Sequence, residues 1–422
     1  MKIFQSLTKA HNNNTLCLCN KYLTHWISFI DSSSVQSMKT LTALFITSLF
    51  IPSAFSQTTL SGKASSVSWG GHWWTMRNGE LALGWDDLKS RKNYSVAQAN
   101  QFDACISAAT AACKKLIQSH IKNNGVALSP MMKFDLWVKK QVDAVYAEGS
   151  AVSMYSRATN NELKIHYITG PEHRHYEASG FAGKCTGWSL SNMDYSEPTT
   201  TKTIDGITFT PADIKGILAA IYNGAQFFVP NEMVLGNAFR NYAPDNTPEI
   251  KADPLPHDLI VAFEKHIKTD KKIIVADMDP TEGVWNHPVY GYSVKLDAPK
   301  AGKVLGTMII NYANDEVNTD EVFTTNTARP DLLNRTISFE LTVPKSWDKK
   351  INSVKSSKWI GESVNKHPDS LIFGLETGWR KSIYEYKNTD MKLEVNYQLI
   401  KKVNLGSGFK IIVDDLLTKY YK

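Results

Sequence analysis

Three long alternating runs dominate the second half of the chain: HPVYGYSVKL at 287–296, KVLGTMIINYA at 303–313 and TISFELTV at 336–343. Side chains of a strand point alternately to its two faces, so such runs predict strands with one face buried. Further strand-like stretches are LKIHYIT at 163–169, KTIDGITFT at 202–210, KKIIVADMD at 271–279 and MKLEVNYQLIKKV at 391–403. Two helices are interspersed. One opens on Thr210-Pro211-Ala212-Asp213 and carries Ile214, Ile217, Leu218 and Ile221 on one face, with Gly224 after its end; the other spans about 257–268.

The region before residue 150 has a different texture. Residues 57–92 are rich in Ser, Gly and Trp and read as irregular. One helix is expected from about Ser95 to Asn124, stopped by Gly125, and another from Ser129-Pro130, an N-cap and N1 pair, to Gly149. Helices first and a mainly antiparallel sheet afterwards predict an α+β fold, divided into a helical subdomain or pro-segment at 57–150 and an α+β domain at 151–422.

Residues 38–56, MKTLTALFITSLFIPSAFS, have the basic start, short apolar run and small-residue end of a secretory signal. Met38 is then the expected start, with 1–37 an upstream extension, and the protein is expected to be secreted or periplasmic. The apolar run is too short to span a bilayer, and no later run reaches that length. The formal charge is +6, half of it from the first 56 residues. Neither that balance nor any Lys/Arg block calls for nucleic acid.

Export bears on the cysteines. Beyond the signal there are three, Cys105, Cys113 and Cys185, so one thiol at least lacks an intramolecular partner. Eight residues of continuous helix rise about 12 Å, too far for a disulfide between Cys105 and Cys113. Those two therefore either break the helix or stay apart.

Cys185 stands in FAGKCTGWSLSNM, where Gly183 precedes it and Gly187-Trp188 follow. A thiol in the first turn of a helix is favoured as thiolate, and backbone N–H groups there can hold an oxyanion. A lone cysteine is otherwise most often structural. A nucleophilic thiol also needs a base and a group that orients the base. His287 opens the strand HPVYGY, and Asn311 follows 24 residues later on the next strand, where a hairpin could bring it to the imidazole; Asp315 is the carboxylate alternative. His173 and His175 could share a strand face as metal ligands, although two His without a third are more often a polar face. Asp277, Asp279 and Glu282 form an acidic patch without the loop pattern of a specific calcium site. Trp69, His72, Trp73 and Trp74 read as buried packing before a recognition surface.

The stretch VWNHPVYGYSVKL, 284–296, resembles the peptide VWNQPVRGFKVYE of the transglutaminase elicitor family, secreted transglutaminases of oomycetes with bacterial relatives. Val284, Trp285, Asn286, Pro288, Val289, Gly291 and Val294 are identical. The Cys-x-Gly-Trp at Cys185 is similar to that family's nucleophile segment. The resemblance implies a papain-like thiol-enzyme core and a protein-glutamine γ-glutamyltransferase, usually with Ca²⁺, joining Gln and Lys side chains of protein substrates. It implies catalytic roles for Cys185, His287 and Asn311, and site-shaping roles for Trp188, Trp285, Asn286 and Pro288. The peptide has Gln where this chain has His287, which leaves His173, His175 and His257 in reserve as the base. A secreted cysteine peptidase or amidase, and an effector with an inert Cys185, are the competing readings.

Overall fold

The computed structural model describes residues 57–76, 78–84, 94–143, 158–166, 183–225, 229–236, 253–278, 284–323, 329–377, 403–404, 409–410 and 412–422. Residues 57–422 form one compact unit. The signal segment, His173, His175, Asp279, Glu282 and the run at 391–402 lie outside the described residues.

The chain enters with strand β1 (Thr58–Lys63), a short helix α1 (Glu80–Leu83), and helices α2 (Val96–Ser107) and α3 (Ala111–Lys122). The single helix expected across 95–124 is therefore two. Cys105 and Cys113 are joined, with Cα atoms 4.7 Å apart. The helix breaks at Ala108, which is extended, and restarts on Thr110, whose hydroxyl accepts the Cys113 N–H. Ser95 and Gln98 close a capping box at the start of α2.

Helix α4 (Pro130–Asp143) begins at the expected Ser-Pro pair, followed by α5 (Ala158–His166) and α6 (Cys185–Ser191). Leu163–His166, expected as the start of a strand, is thus helical. The hairpin β2 (Lys202–Ile204) and β3 (Ile207–Phe209) turns on Asp205-Gly206, both at positive φ, and leads into α7 (Pro211–Ala225). Buried Lys133 on α4 lies 2.6 Å from buried Asp213 on α7. Breaking this buried pair would cost about 3–5 kcal/mol. Helices from before and after residue 150 share one hydrophobic core, which includes Trp74, Phe102, Trp137, Trp188, Ile217 and Tyr222.

The rest is built on a sheet: β4 (Val234–Gly236), helix α8 (Pro256–Phe263) running into a π-helical turn at Glu264–Thr269, β5 (Ile274–Asp277), β6 (Asn286–Leu296), β7 (Lys303–Ala313), β8 (Leu332–Thr342), β9 (Ser356–Trp359) and β10 (Ser370–Ile372). The order is β4-β10-β5-β6-β7-β8-β9, and β1 also pairs with β6. All these pairs are antiparallel. A two-residue pair, β11 (Val403–Asn404) with β12 (Phe409–Lys410), and helix α9 (Ile412–Tyr421) complete the described elements. The fold is α+β with an antiparallel sheet, as the alternation predicts. A second core, with Val294, Leu296, Met308, Ile310 and Phe339, lies between the sheet and α8 residues such as Leu259 and Phe263.

Strand β6 sits at the centre of this arrangement. One edge is shared by β5, opposite Asn286–Val289, and by β1, opposite Gly291–Leu296; the other pairs with β7. Pro288 has no N–H, and the β6–β7 ladder begins only at Val289, with an irregularity before Gly291.

Candidate active site

Helix α6 is only seven residues long, but it is placed from several directions. Its Gly187 touches α7 so closely that a Cβ there would lie 2.0 Å from the Ala219 carbonyl oxygen. Gly183 similarly abuts Trp73, and the Lys184 N–H donates to the Trp73 carbonyl at 2.6 Å. The glycines flanking Cys185 thus serve close approach, which any larger side chain would block. Lys184 and Glu162, both buried, pair at 3.0 Å beneath the start of the helix.

The helix docks onto the mouth of β6 through Cys185, Thr186 and Ser189. Cys185 Sγ is 3.7 Å from the Val284 carbonyl oxygen. Asn286 Nδ2 donates to Thr186 Oγ1 at 2.8 Å, and Ser189 Oγ donates to the Asn286 carbonyl at 2.6 Å. Cys185 is a free thiol and is 7% exposed. Burial pushes its pKa up to about 11; the Asn286 backbone opposes this by hydrogen bonding, while Asp315 and Asp277 add to it.

His287, also buried, is held by its Nδ1, 2.9 Å from the Ala313 carbonyl oxygen at the end of β7. Trp188 from α6 and Tyr312 from β7 meet it edge-on, at ring separations of 6.1 and 5.1 Å. With Nδ1 donating to a carbonyl, Nε2 keeps its lone pair and can take a proton. Burial lowers the His287 pKa, and Asp315 counters by favouring the imidazolium. Burial raises the Asp315 pKa, against His287, its own backbone and a side-chain hydrogen bond to Trp285. One carboxylate therefore acts electrostatically on both the thiol and the imidazole.

The expected hairpin of His287 with the following strand is present, but its register sets Asn311 opposite Gly291 rather than opposite His287. The segment that reaches the imidazole is Ala313–Asp315, so the carboxylate alternative is the better placed. His257 is engaged elsewhere: its Nδ1 is 2.7 Å from Ser357 Oγ and its Nε2 3.4 Å from Asp258. Trp285 receives support on two sides. Its N–H donates to Asp277 Oδ1 at 2.9 Å, and its ring lies 5.6 Å from that of Trp73.

Residues that sequence reasoning missed come from the Trp-rich stretch near the start. Trp69 and Trp74 are buried packing, as expected, whereas half-buried Trp73 walls the site against Trp285. Gly71 lies directly on the Trp188 indole, and its backbone pairs with the segment that carries Asp315, through Gly71 N–H to Asn314 O at 3.0 Å and Val317 N–H to Gly71 O at 3.0 Å. Consecutive Gly-Gly before an aromatic cluster was the available signal. A cavity of about 600 Å³ opens beside His287, lined by Met278, Trp285, Tyr312, Arg335 and Lys366 among others. Cys185 is not in its lining. Among the described residues, no helix is long and apolar enough to cross a membrane.

Comparison with known proteins agrees with the resemblance carried by residues 284–296. No curated protein matches the chain. The crystal structure of the GP42 transglutaminase from Phytophthora sojae is similar at 13% identity and a TM-score of 0.42, over 81% of this chain and 90% of that one, a likeness too weak to argue from. The profile of the transglutaminase elicitor family, in contrast, matches residues 37–303, more than half of the sequence. This chain belongs to the transglutaminase elicitor family.

Proposed function

We propose that the protein is an exported protein-glutamine γ-glutamyltransferase with a papain-like arrangement of nucleophile and base, in which Cys185 is the nucleophile, His287 the acid and base, and Asp315 the carboxylate whose charge favours the imidazolium. The observation that carries this reading is the docking of α6 on β6, which sets a free thiol beside Val284 and Asn286, one residue from a His287 whose Nδ1 is already occupied. The local Cys105–Cys113 disulfide suits the export that residues 38–56 imply.

Burial favours the protonated thiol and disfavours the imidazolium, so in this reading proton transfer accompanies attack. His287 Nε2 takes the thiol proton as Cys185 Sγ bonds to the carboxamide carbon of a glutamine side chain. Collapse of the tetrahedral adduct breaks the C–N bond; His287 returns the proton to the departing nitrogen, which leaves as ammonia, and a thioester remains. A lysine ε-amine then loses a proton to His287 and attacks the thioester carbon, releasing the thiol and leaving an isopeptide bond. Water in place of the amine gives glutamate. Trp73, whose carbonyl accepts the Lys184 N–H, and Trp285 pack together beside the start of α6, and exclusion of water there would favour the amine.

Calcium, which the family resemblance implies, takes six to eight oxygen ligands. The described residues do not fit it: the one cluster of three ligating side chains among them is Asp253, His367 and Asp369, with an imidazole and only two carboxylates. Asp277, from the acidic patch, is buried and committed to the Trp285 N–H. No step above runs through a metal.

The test is incorporation of a labelled primary amine into a glutamine-containing protein, with Cys185→Ala as control. Incorporation that is lost in the variant is expected, a drop of at least ~10³-fold by analogy with other removed nucleophiles. Peptide cleavage without incorporation would select the peptidase reading instead. Elicitor activity undiminished in Cys185→Ala would make that role non-catalytic.

A further inference from the structure

The cavity beside His287 holds about 600 Å³, a volume within the range of small-ligand sites. Trp285, Tyr312 and Leu333 give it apolar walls, and Arg335 and Lys366 give it two positive charges. Among the described residues, no carboxylate lines it. Lys366 is exposed and pairs with Glu362 at 2.5 Å, so the charge that stays uncompensated is that of Arg335.

Arg335 stands half-buried on β8, and its Nη1 donates to the carbonyls of Met278, just past β5, and Lys366, just before β10. Among the described residues its Nη2 and Nε have no acceptor, and no acidic side chain pairs with it. Carbonyls orient a guanidinium without neutralising it, so its charge and its remaining donors stay available to a ligand. The guanidinium carbon lies 5.9 Å from the centre of the Tyr312 ring, and the same ring meets the His287 imidazole at 5.1 Å. The charge is felt there: burial lowers the His287 pKa, and Arg335 adds to that lowering.

Both halves of the proposed reaction use His287, but they differ in what else they need. The glutamine carboxamide must reach the sulfur. The amine arrives when the sulfur is already acylated, so it must meet the imidazole and the acyl carbon instead. A cavity bounded by His287 and not by Cys185 suits the second requirement. We infer that this cavity is the acceptor subsite, and that Arg335 selects lysine side chains with a carboxylate beside them on the acceptor protein. The inference deepens the transferase reading and rests on it. The aliphatic stem of the lysine lies along the apolar walls, and the neighbouring carboxylate takes the free donors of the guanidinium. The positive wall also disfavours an ammonium, which helps the amine to shed the proton it must lose before attack. Acceptors flanked by further cations are repelled.

The test uses N-acetylated acceptor peptides that are identical except for Glu, Gln or Arg next to a single lysine, with a glutamine-containing protein as donor. At low ionic strength the Glu peptide should exceed the Gln peptide roughly 10–100-fold in kcat/KM, the size of one charge-assisted hydrogen bond. The gain should lie in the acceptor KM, and the Arg peptide should be poorest. Arg335→Met should bring the Glu and Gln peptides level, whereas Arg335→Lys should keep part of the preference. Should Arg335→Met not fold, the unaltered protein decides, since the preference should shrink as salt is raised. The same peptides with norleucine for lysine, which cannot react, should bind Cys185→Ala in the same order by calorimetry. Equal use of the Glu and Gln peptides, a preference that survives Arg335→Met or high salt, or a different order of binding overturns the inference and leaves the transferase reading standing. No incorporation of any amine defeats that reading itself, and the acceptor role with it, whatever the norleucine peptides do.

Discussion

The two ends of β6 do opposite work on one strand. At the first end, Asn286, His287, Pro288 and Val289 are all buried: α6 meets Asn286 and His287, while Val289 enters the sheet core. At the other end burial alternates, Val294 and Leu296 going into the sheet core and Lys295 to solvent. The scaffold end obeys the period of a strand, and the site end violates it by burying polar groups that need partners. Those partners come from α6, β5, β7 and the Trp-rich stretch, so the site is an intersection of segments and the scaffold is a local pattern.

Four experiments would break or sharpen that contrast. His287→Gln, which installs the residue found in the related peptide, should lower amine incorporation by about 10²–10⁴-fold while the protein stays folded by circular dichroism. Near-normal activity would remove His287 from the catalytic set. Alkylation of Cys185 by iodoacetamide should climb with pH toward about 11, its rate at pH 8 lying roughly 10³-fold below the plateau, since only the thiolate reacts. A flat profile above pH 8 would mean that the thiol is already ionised. The sign for stability is opposite: a thiol whose pKa is raised in the fold contributes fully below the unfolded value near 8.5 and loses that contribution as pH rises toward 11.

At the scaffold end, Leu296→Ala should cost about 2–5 kcal/mol in denaturant unfolding, with activity per folded molecule unchanged. A selective loss of activity would show that the two ends are coupled. The smallest effects separate Asp315 from Asn311. Asp315→Asn should lower kcat by ~10-fold or more and shift the pH profile of the imidazole, whereas Asn311→Ala should change kcat by less than about 3-fold. The reverse ranking would restore Asn311 as the orienting residue.

Much of the scaffold was legible because alternation is a local signal: β6, β7 and β8 fall where the period-2 runs do, and α7 where its cap and apolar face do. The Cys-x-Gly-Trp segment and the 284–296 stretch also pointed to regions that the fold brings together. Two kinds of information were absent. Leu163–His166 alternates like a strand but lies in a helix, since four residues cannot separate the two periods. The register sets Asn311 opposite Gly291, four residues along β6 from His287, and the alternation of the two runs does not state which residues of β6 and β7 face each other. Trp73 was visible only as aromatic bulk, because its partner Trp285 is far along the chain.

The break between α2 and α3 has a consequence for how the Cys185 thiol stays free. In the oxidising compartment that the proposed export would bring, three thiols invite scrambling, and the proposed reaction requires Cys185 to stay reduced. Cys105 and Cys113 are eight residues apart, and loops of that size close in roughly 10–100 ns, far ahead of any contact across the whole chain. Their early union removes the two local competitors from thiol exchange before Cys185, seventy-two residues further on, finds its place in the first turn of α6. The local bridge is then a chaperone for the thiol it does not contain.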